Sequence, residues 1–480
     1  MRQEKEEGDG DCHMYNPMHK KQKLHENNMD EISDLPDPIV HQIMSSLNVS
    51  EITRISTLSK RFFEIWSSYP FIVFDETTFA RMLQGRLRED TIKDRFLDHI
   101  YNSVLRRRIN RVLSEFRVKV NLSGTFTDNR LDSVIAIVLV NGVRCMDLDF
   151  GQSSRYYFPI ALASNLINVL RFTGFTLELS NIIQGCPSLG VVSIKSCVIL
   201  QNIDFSSQTL TEIEFDKCEV SSIKINAPNL HSFFYVGMAL INPQPCSIDV
   251  SQCQNIAYMS LTNVVNGDWI EDLVYSLSNL ETLILVRCQN IGRIKVRNGK
   301  LERLEVVDCP LLASIELSAK SLESFRYKGV NSSNCDISFI ASKFIKDLSI
   351  EGLVITGEWL ESQIAQLHCL ETLRLKGCDS LTNIKVFHET LRILELHKCL
   401  HLVEADIDTP QLIAFKYRGK LIEFCKMVSG SDCAATLDMD PEPLYNNDLY
   451  HFYRLRDLLS YFGHFKPLKI ICCSQKVYSN

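Results

Sequence analysis

The spacing of hydrophobic residues changes along the chain at about residue 110. Before this point apolar residues recur every three or four positions, which is the period of an amphipathic helix. After it they alternate with polar residues in short runs, which is the period of a strand. Residues 1–30 contain few apolar side chains and are expected to form a disordered tail. The pattern therefore predicts a helical N-terminal part followed by a long strand-containing part.

Three short helices are predicted within residues 31–75. Asp37 can cap the first helix and Pro38 suits its first turn. Its apolar positions form one stripe: Ile39, Ile43 and Leu47, with Val40 and Met44 alongside. A unit of only about 40 residues is near the size at which a lone core is marginal, so it is expected to bury apolar surface against a partner.

The spacing of apolar residues also divides the rest of the chain, residues 76–480, into three segments. Residues 76–110 are predicted to be a helical linker, because their apolar positions keep helical spacing. Residues 111–437 are predicted to be a repeat array. Residues 438–480 are expected to hold an acidic linker, an amphipathic helix and a last strand at Leu468 and Ile470. A repeat array needs its open end covered, and this segment can cap it.

The array repeats the pattern Leu-x-x-Leu-x-Leu, with a cysteine three residues later. This is the leucine-rich-repeat pattern, in which each run forms one strand and its inward side chains stack on the next repeat. We expect an α/β solenoid (horseshoe) of about 14 to 16 repeats. The cysteines should occupy one core position, because a zinc site needs four convergent ligands and stacked positions form a line. They are Cys197, Cys218, Cys288, Cys309, Cys378 and Cys399.

A longer period lies within the array. The cysteines come in pairs 21 residues apart, and successive pairs begin 91 and 90 residues apart. Each pair is followed by a copy in which two aromatic residues lead into a glycine, as in Phe325-x-Tyr327-x-Gly329. We interpret this as duplication of a unit of about four repeats, in which Trp269 and Trp359 anchor helical outer segments.

Composition narrows the function. Of the 480 residues, 45% are hydrophobic and 23% are charged, and the net charge of -7 is too small to favour nucleic acid or a membrane as the main partner. No signal peptide is predicted at the N-terminus, so the 17 cysteines should be free thiols in the cytosol or the nucleus. No phosphate-binding, nucleophile or metal motif occurs, and no enzyme activity, cofactor or metal is predicted.

Residues 31–75 resemble an F-box in their Leu35-Pro36 start, their Ser59-Lys60-Arg61-Phe62 stretch and Trp66. The whole chain is similar to plant F-box/LRR-repeat proteins, the substrate receptors of SCF ubiquitin ligases. The resemblance implies a Skp-type adaptor that joins a cullin scaffold, and repeats that select a protein target. By position, the adaptor-binding residues would be Leu35, Pro36, Ile39, Ile43, Met44 and Leu47. The alternative is a non-ligase interaction scaffold, in which the helices merely cap the solenoid.

The target-binding surface is expected on the concave face, where the residues that alternate with the inward leucines project. An early strand places Glu212, Glu214 and Asp216 there, whereas later strands are basic, diluted by Glu351 and Glu395. The hypothesis is that an acidic or phosphorylated target segment binds the basic stretch. The alternative is a solvated face of mixed charge. The basic residues are Arg326, Lys328, Arg374, Lys376, Lys416 and Arg418.

Overall fold

The structure is a computed structural model and divides the chain into two compact units between Tyr69 and Pro70. The predicted tail, residues 1–30, and part of the predicted acidic linker lie outside the described residues. In the described ranges, none of the helices is both long and apolar enough to cross a membrane. The described residues are 34–47, 49–83, 88–107, 112–125, 128–158, 163–200, 202–238, 245–440 and 448–472.

The described part of the first unit consists of the three predicted helices, Asp37–Ser45, Val49–Ile55 and Lys60–Ser68. Asp37 does not cap the first helix as predicted, because the helix begins at Asp37 itself and has no side-chain cap. The third helix is capped by the Ser59 hydroxyl, which accepts the Phe62 N–H at 3.2 Å. The core consists of Val40, Met44, Ile52, Phe62, Ile65, Trp66 and Tyr69.

In the part of the chain that the structure describes, the second unit is built on a sheet of seventeen parallel strands, each paired in register with its neighbours along the chain. This confirms the predicted solenoid of stacked strands. The strands are Phe71–Asp75, Leu113–Lys119, Val143–Asp149, Val169–Thr173, Val191–Lys195, Glu212–Asp216, Ser232–Val236, Tyr258–Thr262, Thr282–Val286, Arg303–Val307, Ser324–Ser333, Asp347–Leu353, Thr372–Lys376, Ile393–His397, Ala414–Gly419, Ala434–Met439 and Leu468–Cys472.

The sheet begins about 40 residues earlier than predicted. Phe71–Asp75, placed with the first unit by the sequence pattern, pairs with Leu113–Lys119 in the second unit. Helix Glu89–Arg106, which the sequence pattern placed in a linker, packs as part of this unit and buries Phe96 and Ile100 in its core. The strand was missed because its pairing partner lies beyond two helices in the sequence, Glu76–Met82 and Glu89–Arg106.

The core of this unit forms because most of its strands alternate between buried and more exposed residues. Leu283, Leu304 and Phe325 are neighbours in register on three successive strands, and all are completely buried. The next buried row, two residues along, contains Leu285 and Val306. A residue on the inward row therefore packs mainly against the equivalent residues of the adjacent repeats, as in other solenoids.

The repeat cysteines occupy one core position, as predicted. All six are buried, and the Cys288 thiol donates to the Leu261 carbonyl oxygen of the previous repeat at 3.3 Å. Burial raises the pKa of Cys197 to about 11. The residue before each cysteine has a left-handed φ of 51 to 59°, which turns the cysteine into the core at the strand end. These preceding residues are Ser196, Lys217, Arg287, Asp308, Gly377 and Lys398.

Replacing Cys288 by alanine should lower the free energy of unfolding by about 1–3 kcal/mol, because a buried thiol and its hydrogen bond are lost. Urea unfolding followed by circular dichroism measures this. The control is Cys425→Ala, since that thiol is exposed. Stoichiometric zinc in the purified protein would contradict the core role. Within the described ranges, no cluster of His, Cys, Asp and Glu side chains is suited to hold a metal ion.

The 90-residue period in the sequence corresponds to blocks of repeats, each of which begins with a helix on the outer side of the sheet. Helices Leu179–Gly185, Ile270–Ser276 and Gly357–Ile364 each open a block of four inner strands. Four short outer strands follow the first of these helices, and three follow each of the other two. Trp269 and Trp359, at these helix starts, are partly buried against the core, as predicted. The outer strands are Ile203–Ser206, Ser222–Asn226 and Ser247–Asp249, then Arg293–Val296, Ser314–Leu317 and Asp336–Phe339, then Asn383–Phe387, Glu404–Asp408 and Glu423–Val428. The earlier repeats add helix Asn129–Asn141 and outer strands Tyr156–Tyr157 and Phe175–Leu177. Phe175–Leu177 pairs with Val198–Ile199, the first outer strand after helix Leu179–Gly185.

The C-terminal end is closed as the sequence predicts. Helix Asp448–Phe462 precedes the last strand, Leu468–Cys472, and takes the place of a fourth block helix. Phe462 is completely buried and stacks on Phe415, with ring centroids 5.6 Å apart. The Arg454 guanidinium donates to the Leu421 carbonyl oxygen at 2.6 Å.

Acidification should destabilise the second unit through His99. Its ring stacks on Phe79 at 5.1 Å, and burial lowers the pKa of His99. The folded chain thus binds fewer protons than the unfolded chain, so the stability is present above the unfolded pKa of about 6.5 and is lost as the pH falls below it. The urea concentration at the unfolding midpoint should decrease as the pH is lowered from 8 to 5.5. The His99→Leu variant should show a smaller decrease. An identical pH dependence in the variant would contradict the assignment.

Candidate protein-interaction surfaces

The first helix of the N-terminal unit divides its apolar residues between two sides. Val40 and Met44 are 2% and 0% exposed and belong to the core, whereas Ile39 and Ile43 are 43% and 42% exposed. Positions four apart share one side of a helix, and adjacent positions differ by about 100° around its axis. The single stripe in the sequence is therefore one buried row beside one exposed row.

The other predicted adaptor residues lie at the start and end of this helix. Leu35 and Leu47 are partly buried against the core, and Pro36 is exposed at the helix N-cap. The Arg61 guanidinium donates to the Leu35 carbonyl oxygen, and the Asp37 carboxylate lies 3.7 Å from the same guanidinium. This contact fixes the Leu35-Pro36 start against the third helix.

The prediction that Met44 binds the adaptor is wrong. The sequence assigned it to the adaptor surface, but its side chain is completely buried among the core residues of its own unit. It holds the first helix in place and cannot contact a partner without unfolding the unit. The five other predicted residues are at least partly exposed.

Two further exposed apolar residues were missed as candidates. Leu58 is 69% exposed and Phe63 is 43% exposed. The Phe63 ring lies 5.7 Å from that of Trp66. Leu58 has helical spacing from Ile52 and Ile55, so the sequence pattern placed it in the core. Phe63 follows the buried Phe62, and only the helix orientation separates the two.

The second surface is the open face of the large sheet. In each strand, five consecutive residues pair in register with the neighbouring strands, and we define the open face as the side chains of the first, third and fifth of them. These side chains alternate with the buried rows and are mostly half-buried. All six predicted target-binding cations project from this face, as the alternation predicts. Their fractional exposures range from 33% to 53%.

Each of these six cations forms an ion pair with a carboxylate from an adjacent strand or its following turn. The later strands therefore present alternating charges, which is the mixed-charge alternative rather than a uniformly basic surface. The sequence pattern describes each strand separately and therefore did not identify the carboxylates that pair with these cations from neighbouring strands, namely Glu305, Asp308, Asp347 and Asp438. The pairs are Arg326–Glu305 at 3.8 Å, Lys328–Asp308 at 3.2 Å, Arg374–Asp347 at 2.8 Å, Lys376–Glu351 at 2.7 Å, Lys416–Glu395 at 2.7 Å and Arg418–Asp438 at 3.3 Å.

The acidic strand Glu212–Asp216 is only partly neutralised. Glu214 accepts from Lys195 at 2.8 Å and from the Ser193 hydroxyl at 2.6 Å. The side chains of Glu212 and Asp216 form neither an ion pair nor a hydrogen bond with any other described residue. This strand therefore keeps two carboxylates without an ion-pair partner among the described residues.

These features define a class of protein: a leucine-rich-repeat solenoid preceded by a three-helix unit with exposed aliphatic side chains. Residues 32–74 match the family model of the F-box domain. Residues 241–350 and 336–478 match the family model of the At1g61320/AtMIF1 LRR domain. The chain belongs to the F-box/LRR-repeat proteins.

Proteins of Arabidopsis thaliana are similar to this chain. F-box protein At3g03040 is 23% identical over 299 residues, which cover 58% of this chain and 60% of that protein. Putative F-box/LRR-repeat protein At5g38386 is 22% identical over 312 residues, or 61% of this chain and 74% of that protein. Putative F-box protein At2g39415 is 44% identical over 86 residues, or 17% of this chain and 69% of that protein.

Proposed function

We propose that this chain is the substrate-recognition subunit of an SCF-type E3 ubiquitin ligase. In this proposal the F-box unit binds a Skp-type adaptor, the adaptor joins a cullin scaffold, and the open face of the sheet binds the protein target. The chain would contribute binding and positioning, and other subunits would perform ubiquitin transfer. Its place would be the cytosol or the nucleus, where buried thiols stay reduced.

The observation that supports the adaptor role most directly is the exposed pair Ile39 and Ile43. They lie on a unit whose own core is already filled by Val40, Met44 and the third helix. An aliphatic side chain contributes roughly 1.5–3 kcal/mol when it is fully buried, so two of them suit a partner interface. Leu58 and Phe63 provide further apolar surface on the same unit.

The test is reconstitution of the full chain with a purified plant Skp-type adaptor. We expect one complex of equal stoichiometry in size-exclusion chromatography, and a negative heat-capacity change in calorimetry, because apolar surface is buried. Addition of a cullin scaffold should extend the same complex. A folded chain that stays separate from the adaptor would contradict the ligase role and favour the non-ligase interaction scaffold.

A further inference from the structure

Three adjacent strands of the large sheet present no charge on the open face. They are Ser232–Val236, Tyr258–Thr262 and Thr282–Val286, paired in register. Each of the other fourteen strands presents at least one charged side chain there. We call the nine side chains the uncharged patch: Ser232, Phe234, Val236, Tyr258, Ser260, Thr262, Thr282, Ile284 and Val286.

The fold does not require these residues to be uncharged. The next block of the array has the same three positions about 90 residues later, on strands Ser324–Ser333, Asp347–Leu353 and Thr372–Lys376. Those strands pair in the same parallel register, yet they present six charged side chains on the open face. The charged residues are Arg326, Lys328, Asp347, Glu351, Arg374 and Lys376.

The uncharged patch has two large apolar side chains in its middle row. Phe234 and Ile284 occupy the middle row on either side of Ser260, and the Phe234 ring lies 5.1 Å from that of Tyr258. All nine side chains are half-buried, so part of their apolar surface faces water. Strands are about 4.8 Å apart, so the patch has room for one or two large side chains of a partner. Apolar surface that stays partly exposed on a folded protein is a feature of interaction sites.

The two borders of the uncharged patch differ in charge. On one side Glu212 and Asp216 lie directly beside Ser232 and Val236, and both carboxylates are without an ion-pair partner among the described residues. On the other side the Glu305 carboxylate is bound by Arg303 and lies 3.8 Å from Arg326. The acidic border is therefore the one with carboxylates still available for a partner.

We propose that the uncharged patch and its acidic border bind a target segment with an aromatic or aliphatic anchor and a lysine or arginine beside it. The anchor would pack on Phe234, Tyr258 and Ile284, and the cation would pair with Glu212 or Asp216. An acidic segment on the later strands would instead have to displace carboxylates that already neutralise the cations there. The inference rests on the proposed function, because it names the target class held by the same face.

The test uses the full chain bound to its Skp-type adaptor and a display library of short random peptides. Selected peptides should combine a large apolar residue with lysine or arginine, and their affinities follow from fluorescence anisotropy. The double variant Phe234→Ser, Ile284→Ser should weaken binding at least about tenfold, because central apolar contacts dominate such interfaces. Glu212→Gln with Asp216→Asn should weaken binding and reduce its dependence on salt.

The matched control is Ile393→Ser, which removes a half-buried aliphatic side chain from the same face on another strand. It should leave peptide affinity unchanged, and all variants should keep the thermal stability of the parent chain. Equal loss in the control and the double variant would overturn the inference, as would a selection that enriches no class of peptide. Adaptor binding by the same samples judges the proposed function separately.

A third outcome would also overturn it. If the library yields acidic peptides, and their binding is lost when Arg374, Lys376, Lys416 and Arg418 are changed to glutamate, the target binds the later strands. The double variant in the uncharged patch would then bind these peptides like the parent chain.

Discussion

Replacing Ile39 and Ile43 together by alanine should weaken binding of a Skp-type adaptor at least about a hundredfold. Each side chain contributes roughly 1.5–3 kcal/mol when a partner buries it, and every 1.4 kcal/mol changes affinity about tenfold. Both side chains are more than 40% exposed in the unit itself, so its stability should change little. Calorimetric titration of the full-length variant with purified adaptor measures the loss.

The control for this experiment is Val140→Ala. Val140 is 86% exposed on a helix of the second unit, so it tests removal of an exposed aliphatic side chain outside the F-box. It should leave adaptor affinity unchanged. Parent-like affinity in the Ile39→Ala, Ile43→Ala variant would remove this helix face from the interface. Leu35→Ala with Pro36→Ala tests the same interface less cleanly, because Leu35 also packs on the core of the unit.

Replacing Phe325 by alanine should lower the free energy of unfolding by about 3–5 kcal/mol, because a completely buried aromatic ring leaves a cavity. The ring lies in register between Leu304 and Leu348 and packs edge-on against Phe339 at 5.8 Å. Neighbouring repeats form most of its surroundings, so the loss should reduce the coupling between adjacent repeats. Urea unfolding of parent and variant measures the difference.

The matched control is Arg326→Ala, one residue further along the same strand. Arg326 projects from the open face with half of its side chain exposed and pairs only distantly with Glu305. Such an exposed ion pair contributes at most about 1 kcal/mol, so the control should unfold nearly like the parent. Similar losses for the two variants would contradict the assignment of inward and outward rows.

The sequence predicted only in part which apolar residues are exposed on the F-box unit. Its helical spacing predicted three helices and an apolar stripe on the first. It could not separate Met44 from Ile43, because both fit the same stripe, and the third helix decides which one is buried. Leu58 has core-like spacing for the same reason, yet it is 69% exposed since no other element of its unit covers it.

The sequence by itself determined the repeat. Alternation along the strands predicted the inward rows, the regular cysteines predicted a core position, and the 90-residue period predicted blocks of four repeats. These properties are local or are repeated many times, so one chain contains several independent copies of the same signal. Tertiary structure decided the first strand, Phe71–Asp75, because its pairing partner lies some 40 residues away.

Tertiary structure also decided the charge of the open face. Lys328 meets Asp308 and Arg374 meets Asp347 only because adjacent strands are in register, although the partners lie 20 and 27 residues apart in sequence. The same stacking brings three uncharged strands together beside Glu212 and Asp216. Alternation along a strand tells which side chains face outward, whereas the charge beside each of them depends on the neighbouring strands.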